Sequence, residues 1–316
     1  MSNKIFKFSL IFYSIVQMKF AWSDCDYQVT VPSLNYSVSD VNPSVPGTIT
    51  ILRDKDQGTK CNNFFFAFTK GWAGSYSRRA QNLINGDLLY YNLYKNSNGT
   101  GVLKEPGDIT SANEVLFGSI ARYETKDFNY YFNLAPISSG LPPRAGTYID
   151  IVQVQTYAGT YNDIDGYEGY KNLNIYINVA KFISLSLVDS GASHDETKTS
   201  KTLDFGELEE LETQNFDVRV VSNSGYILKI SSANNGLLNK VASSGVNAQI
   251  AYDFYANSTL RNLSSSATSP VVIANATGRT PAGGAQVPIK VVIKSLLNKD
   301  PGTYQDYLTL SVISND

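Results

Sequence analysis

Ala145-Gly146-Thr147-Tyr148-Ile149-Asp150-Ile151-Val152-Gln153-Val154 returns later in the chain as Pro301-Gly302-Thr303-Tyr304-Gln305-Asp306-Tyr307-Leu308-Thr309-Leu310. In each copy a glycine permits a tight turn, and the alternation after it is a period-2 strand. Tyr148, Asp150, Val152 and Val154 share one face; Tyr304, Asp306, Leu308, Leu310 and Val312 share the matching face. The pattern spreads outward from both copies. Residues 128–134 precede the first copy across a turn, and residues 287–294 precede the second. Segments 47–53 and 64–69 have counterparts in 215–221 and 226–231, and 88–95 has one in 249–255. Short strands at this spacing, broken by Gly, Pro, Asn and Ser, predict an all-β chain. The expectation is two antiparallel immunoglobulin-like sandwiches in tandem, residues 24–180 and 181–316. Lys181 is the boundary, because residues 182–188 read as a fresh first strand.

Composition agrees. The 316 residues are roughly two domains' worth. There are 21 Tyr and 15 Phe against 2 Met and 1 His, and aromatic residues suit a pleated, half-buried surface. A net charge of -2 offers no electrostatic reason to expect nucleic acid or an anionic membrane as partner.

The first residues read as an export signal. Lys4 and Lys7 precede an apolar run, residues 8–16, too short to span a bilayer. Small residues at Ala21 and Ser23 place cleavage after Ser23, leaving residues 24–316 as an exported protein. In that compartment two cysteines, Cys25 and Cys61, read as a disulfide stabilising by ~3–4 kcal/mol in the chain-entropy picture.

The two halves end differently. After its Gly-Thr-Tyr strand the first half continues through residues 158–170 into 173–179, which alternates as a further strand. The second half reaches Asp316 directly after Val312. One sandwich is expected to carry its closing strand and the other to lack it. An uncovered edge is a liability that proteins manage explicitly, so the missing strand is expected from another chain.

Leu203-Asp204-Phe205-Gly206, the run 216–222, Ser224-Gly225-Tyr226 and Gly302-Thr303-Tyr304-Gln305-Asp306 resemble the spore coat protein U-type domain, a family that includes pilins of the archaic chaperone–usher class. Cys61-Asn62-Asn63-Phe64-Phe65-Phe66, Tyr91-Asn92-Leu93-Tyr94 and Gly146-Thr147-Tyr148 resemble the paired tip domain. The resemblance implies a pilin domain held by a periplasmic chaperone, delivered to an outer-membrane usher, and completed by the N-terminal donor strand of the next pilin subunit. Strand addition of this kind is an established recognition mode. The expected groove is lined by Phe182, Leu185 and Leu187 on one side and Leu308, Leu310 and Val312 on the other. A subunit that donates a strand needs about ten alternating residues ahead of its first strand. With cleavage after Ser23, only Asp24 precedes a tethered Cys25, so this chain is expected to accept a strand without giving one.

That expectation places it at the tip of a pilus on the cell surface, serving attachment and biofilm formation. Contact residues are expected in loops at the pole far from the second domain: Tyr157, Tyr161, Ile164 and Tyr167 in a loop 157–170, with Val102 and Leu103 in a second loop. Tyrosine supplies rigid contact area with a polar tip. The competing readings are a non-adhesive fibre initiator or cap, a secreted coat component, and a sugar-binding lectin tip. The receptor or surface is not named by the residues.

Enzyme chemistry is not expected. Ser193-His194-Asp195 has the letters of a triad, but triads assemble from separate segments, and His194 sits in a polar loop with nothing to bury it. Residues 163–168 alternate carboxylates before Gly166 without the remaining ligands of a calcium loop. No cofactor and no metal are expected.

Overall fold

The computed structural model describes residues 25–38, 44–54, 59–136 and 143–315. The expected signal peptide, residues 1–23, lies outside them. The first half holds β1 (Tyr27–Thr30), β2 (Leu34–Ser37), β3 (Val45–Arg53), β4 (Asn63–Phe68), β5 (Arg78–Asn82), β6 (Leu88–Tyr94), β7 (Leu116–Ser119), β8 (Thr125–Leu134), β9 (Gly146–Thr160) and β10 (Asp163–Val179). The second holds β11 (Ile183–Val188), β12 (Thr213–Ser222), β13 (Tyr226–Ser232), β14 (Leu237–Lys240), β15 (Gln249–Ala256), β16 (Thr259–Arg261), β17 (Val271–Ala276), β18 (Ala285–Ile293), β19 (Tyr304–Gln305) and β20 (Leu308–Ser314). The chain is all-β.

In the first half hydrogen bonding runs β1-β3-β8-β6-β5-β9-β10-β2, with β4 joining β9 to β7. All pairings there are antiparallel except β10 with β2. The two layers are not separate sheets. Gln81 and Asn82 of β5 pair with Ile149 and Tyr148, so one folded sheet wraps a core that includes Ile49, Phe66, Phe132, Val152 and Ile175. In the second half, a layer ordered β11-β12-β18-β15-β14-β19 packs on a three-stranded layer β17-β13-β20. Phe216, Val218, Leu228, Ile230, Phe254 and Ile289 fill the space between them.

The internal repeat is a structural repeat. Tyr148 donates its hydroxyl to Arg144 O at 2.9 Å, and Tyr304 donates to Asp300 O at 2.6 Å. A tyrosine bonded back to the backbone a few residues upstream is the corner found in immunoglobulin-like sandwiches. The glycine before each corner is needed: Gly146 has φ 130° and Gly302 φ 152°. A Cβ at Gly146 would also meet Asn82 Nδ2 at 2.7 Å.

Cys25 and Cys61 are disulfide-bonded, spanning 36 residues, and are buried beside Ala158. Residues 180–182 connect β10 to β11, and Asn223 holds them. Its Oδ1 accepts from Phe182 N (2.8 Å), its Nδ2 donates to Ala180 O (2.9 Å), and its carbonyl accepts Ala145 N from the first half (3.1 Å).

One reading is corrected. Residues 157–170 are not a loop: β9 and β10 run almost to a two-residue turn, Tyr161-Asn162. Register shifts between Ile164 and Gly166 and between Tyr167 and Gly169 break the alternation. A bulge moves the pattern out of phase, which makes a paired strand read as a loop.

Candidate functional site

Among the described residues β11 pairs only with β12, and β20 only with β13. Each therefore ends its layer with one open backbone edge. Between these edges lies a groove of about 800 Å³, lined by Leu187 of β11 and by Leu308 and Leu310 of β20, over Phe216, Ile250 and Val291. Alternation puts Leu308, Leu310 and Val312 on the inward face of β20, half-buried against the second core. Ile183, Leu185 and Leu187 do the same from β11. Phe182, expected in this set, is corrected: it precedes β11 with the opposite parity and is 43% exposed. Ile183 has the inward parity instead and packs on the core without lining the groove. Leu185 and Val312 pack on the core beside the groove rather than lining it.

The backbone of β20 is poised for a neighbour. Asn315 N bonds Gly225 O and Ala233 N bonds Tyr307 O, so odd-numbered residues face β13. Leu308, Leu310 and Val312 consequently aim their N–H and C=O groups at the open edge. On β11 the open-edge N–H of Leu187 is already donated to Lys198 O at 2.7 Å.

The first half shows what occupies the equivalent place. There β10 lies antiparallel to β9 and parallel to β2, and inserts Leu173, Ile175, Ile177 and Val179, the first three fully buried. β20 corresponds to β9 through the Gly-Thr-Tyr repeat, and β11, the edge partner of β12, corresponds to β1, the edge partner of β3. Among the described residues nothing in the second half stands where β10 stands in the first.

A polar knot closes one end of the groove. Asp306 Oδ2 accepts from Ser232 Oγ at 2.6 Å, and its Oδ1 accepts from Asn234 N at 3.1 Å and Tyr307 N at 2.8 Å. Leu203, Phe205 and Leu208 also line the groove and were missed as site residues. The first two lie in a motif already singled out. Their segment has no period, so only the motif could have flagged them.

The residues expected to adhere are mostly not loop tips. Tyr157 is 4% exposed and stacks on Phe65 with ring centroids 4.9 Å apart. Leu103 is fully buried, and Arg78 Nη2 donates to its carbonyl at 2.7 Å. Both are corrected to core. Val102 is half-buried in an isolated bridge to Tyr94. Tyr161, Ile164 and Tyr167 are half-buried against the small cluster of Phe65, Ala67, Val115 and Tyr157. Tyr161 also approaches Phe117 (5.7 Å), which is half-exposed, and the ring of Tyr123 is still more open. These two aromatics were missed, since Phe117 lies in a four-residue strand and Tyr123 in the turn after it, both too short to carry a pattern. His194 is corrected as well: it is half-buried, with Nε2 3.2 Å from Ser184 Oγ and Nδ1 2.9 Å from Ser186 Oγ. It pins the following loop across β11.

No protein-family model matches the chain, and no curated protein sequence does. The resemblance to the spore coat protein U-type domain therefore rests on the short motifs alone. Among solved structures, the chain is similar to the chaperone–tip adhesion subunit pre-assembly complex of archaic chaperone–usher Csu pili of Acinetobacter baumannii (14% identity, 90% of this chain and 99% of that one covered, TM-score 0.37). It is also similar to the CFA/I adhesin CfaE of enterotoxigenic E. coli (9% identity, 90% and 92% covered, TM-score 0.43). A third is the CupB6 tip adhesin of Pseudomonas aeruginosa (8% identity, 90% and 94% covered, TM-score 0.40). At these values the likeness carries no argument of its own.

Proposed function

We propose that the chain is a terminal, adhesive subunit of a chaperone–usher pilus, made of a complete domain (residues 24–180) and an incomplete one (residues 181–316). The observation that carries this reading is the contrast between the filled place of β10 and the open groove between β11 and β20. A donor strand from a neighbouring pilin lies antiparallel to β20, as β10 does to β9, and runs beside β11. Its alternate side chains replace the four that β10 inserts. Burying four at ~1.5–3 kcal/mol each supplies on the order of 10 kcal/mol before ordering entropy, comparable to the stability of a domain. Before assembly a periplasmic chaperone, and then the usher, shelters the same edge.

Terminal position is supported by the disulfide that ties Cys25, at the entry to β1, to Cys61 within the same half. Contact with a cell or surface, and through it biofilm formation, falls to the far pole of the first half. There the β9–β10 turn with Tyr161 lies near Phe117, and Tyr123 follows Ile120, whose N–H bonds Asn62 O beside the disulfide. The non-adhesive cap remains as the second reading, favoured by how much of the expected contact set is buried.

The test is titration of the purified chain with a synthetic peptide of alternating apolar residues. The expected result is a slow, tight complex with a raised unfolding temperature. An unchanged unfolding temperature with no complex would remove the strand-accepting role.

A further inference from the structure

The outer face of the larger layer of the second half holds a second depression, on the side away from the groove. Register decides what lies in it. Asn215 and Asp217 of β12 stand opposite Lys290 and Pro288 of β18, and Lys290 stands opposite Tyr255 of β15. Their neighbours Phe216, Val218, Ile289 and Phe254 point into the core, so these side chains share the outward face. Ser190 and Gly191 after β11 form one wall, and Ser258 in the turn after β15 forms the other, enclosing about 530 Å³.

Asp217 is 1% exposed at the side of this trough. Its Oδ2 accepts from Gly191 N at 2.7 Å and from Gln286 Nε2 at 2.6 Å, with Arg219 Nη2 at 3.9 Å. No hydrogen bond among the described residues reaches Oδ1. Oδ1 keeps a little solvent contact on the trough side, so its hydrogen bond comes from whatever fills the trough. The surrounding charges narrow the ligand. Arg219 and Lys290 disfavour a cation, and the free oxygen of Asp217 disfavours an anion. What remains is a neutral, hydroxyl-rich molecule. Pro288 and Tyr255 offer apolar contact for C–H groups, while Asn215 and the amide oxygen of Gln286 offer further hydrogen bonds. The volume lies in the usual range for small-ligand sites.

We propose that this trough is a saccharide site, taking one neutral hexopyranoside unit whose hydroxyl donates to Asp217 Oδ1. It lies on the opposite face of the layer from the groove, so it stays open whether or not a strand is added, and it does not rest on the pilus reading. The experiment is saturation-transfer NMR on the full chain with methyl glucoside, galactoside, mannoside and N-acetylglucosaminide, alongside inorganic phosphate and methylammonium. The expected result is transfer to at least one neutral glycoside, weakened about tenfold by Asp217→Asn and by Asn215→Ala paired with Gln286→Ala. The paired variant changes exposed side chains and reads out the site even if Asp217→Asn does not fold. Absence of transfer to every glycoside, transfer untouched by the variants, or preference for either charged probe would overturn the assignment.

Discussion

Tyr252 donates its phenolic hydroxyl to Asp306 Oδ2 over 2.6 Å, across the end of the open groove. The first half contains the same bond: Tyr91 donates to Asp150 Oδ2, also at 2.6 Å. Each aspartate lies two residues beyond the corner tyrosine of its repeat, and the partners lie on β6 and β15, the matching strands of the two halves. The pair locks the start of the strand that borders the closing position, filled in one half and open in the other. Tyr252→Phe should therefore destabilise the second half by about 1.5–3 kcal/mol, the range for a hydrogen bond to a charged group. Chemical denaturation of the whole chain, followed by domain-specific hydrogen exchange, measures it; equal loss in both halves would contradict the local role.

Leu310→Asp should prevent strand addition while leaving the free chain folded. The side chain is half-buried at the open edge, so the charge stays hydrated until a donor strand covers it, when desolvation opposes the complex. Peptide titration and fibre counts check this together, and normal fibres with normal peptide binding would exclude this groove.

Alkali should unfold the chain as the pH climbs from 10 towards 12. Burial pushes the phenols of Tyr148 and Tyr157 up to about 12 from the ordinary 10.0, and raises Tyr91, Tyr130 and Tyr252 as well. The folded chain keeps these protons where the unfolded chain has released them. Their contribution is whole below pH 10 and is lost as pH climbs towards 12. Phenolate absorbance should rise in one cooperative step with loss of near-ultraviolet dichroism; gradual independent titration would count against it.

Asn223→Ala should loosen the joint between the halves without melting either core. It leaves Phe182 N and Ala180 O without their side-chain partner. Limited proteolysis should open residues 180–182 several-fold faster, with both halves recovered intact.

At the far pole, Tyr123→Ser with Phe117→Ser should lower attachment and spare fibre number, because both rings are substantially exposed. Tyr157→Ser should instead cost about 3–5 kcal/mol, as for removal of a buried ring. Counting fibres and attached cells separately distinguishes the two; attachment unchanged by the exposed pair would favour the non-adhesive cap.

Much of this was legible in the chain itself. The Gly-Thr-Tyr repeat, the period-2 runs around it and the two cysteines announce an all-β chain with a disulfide, because turn glycine, alternation and thiol pairing are local or pairwise properties. Leu308, Leu310 and Val312 were legible as one face for the same reason. Tertiary structure alone decided the rest. It joined the first half's layers through β5, since corner pairing depends on where a strand arrives in space. It turned residues 157–170 into two bulged strands and buried Tyr157 and Leu103, because a phase shift erases alternation and burial depends on what packs above. It left Phe182 exposed and turned Ile183 towards the core, a matter of one residue in strand onset. It also brought Asp217, Asn215, Gln286 and Tyr255 onto one outward face, a meeting set by the register of three strands that are distant in the chain.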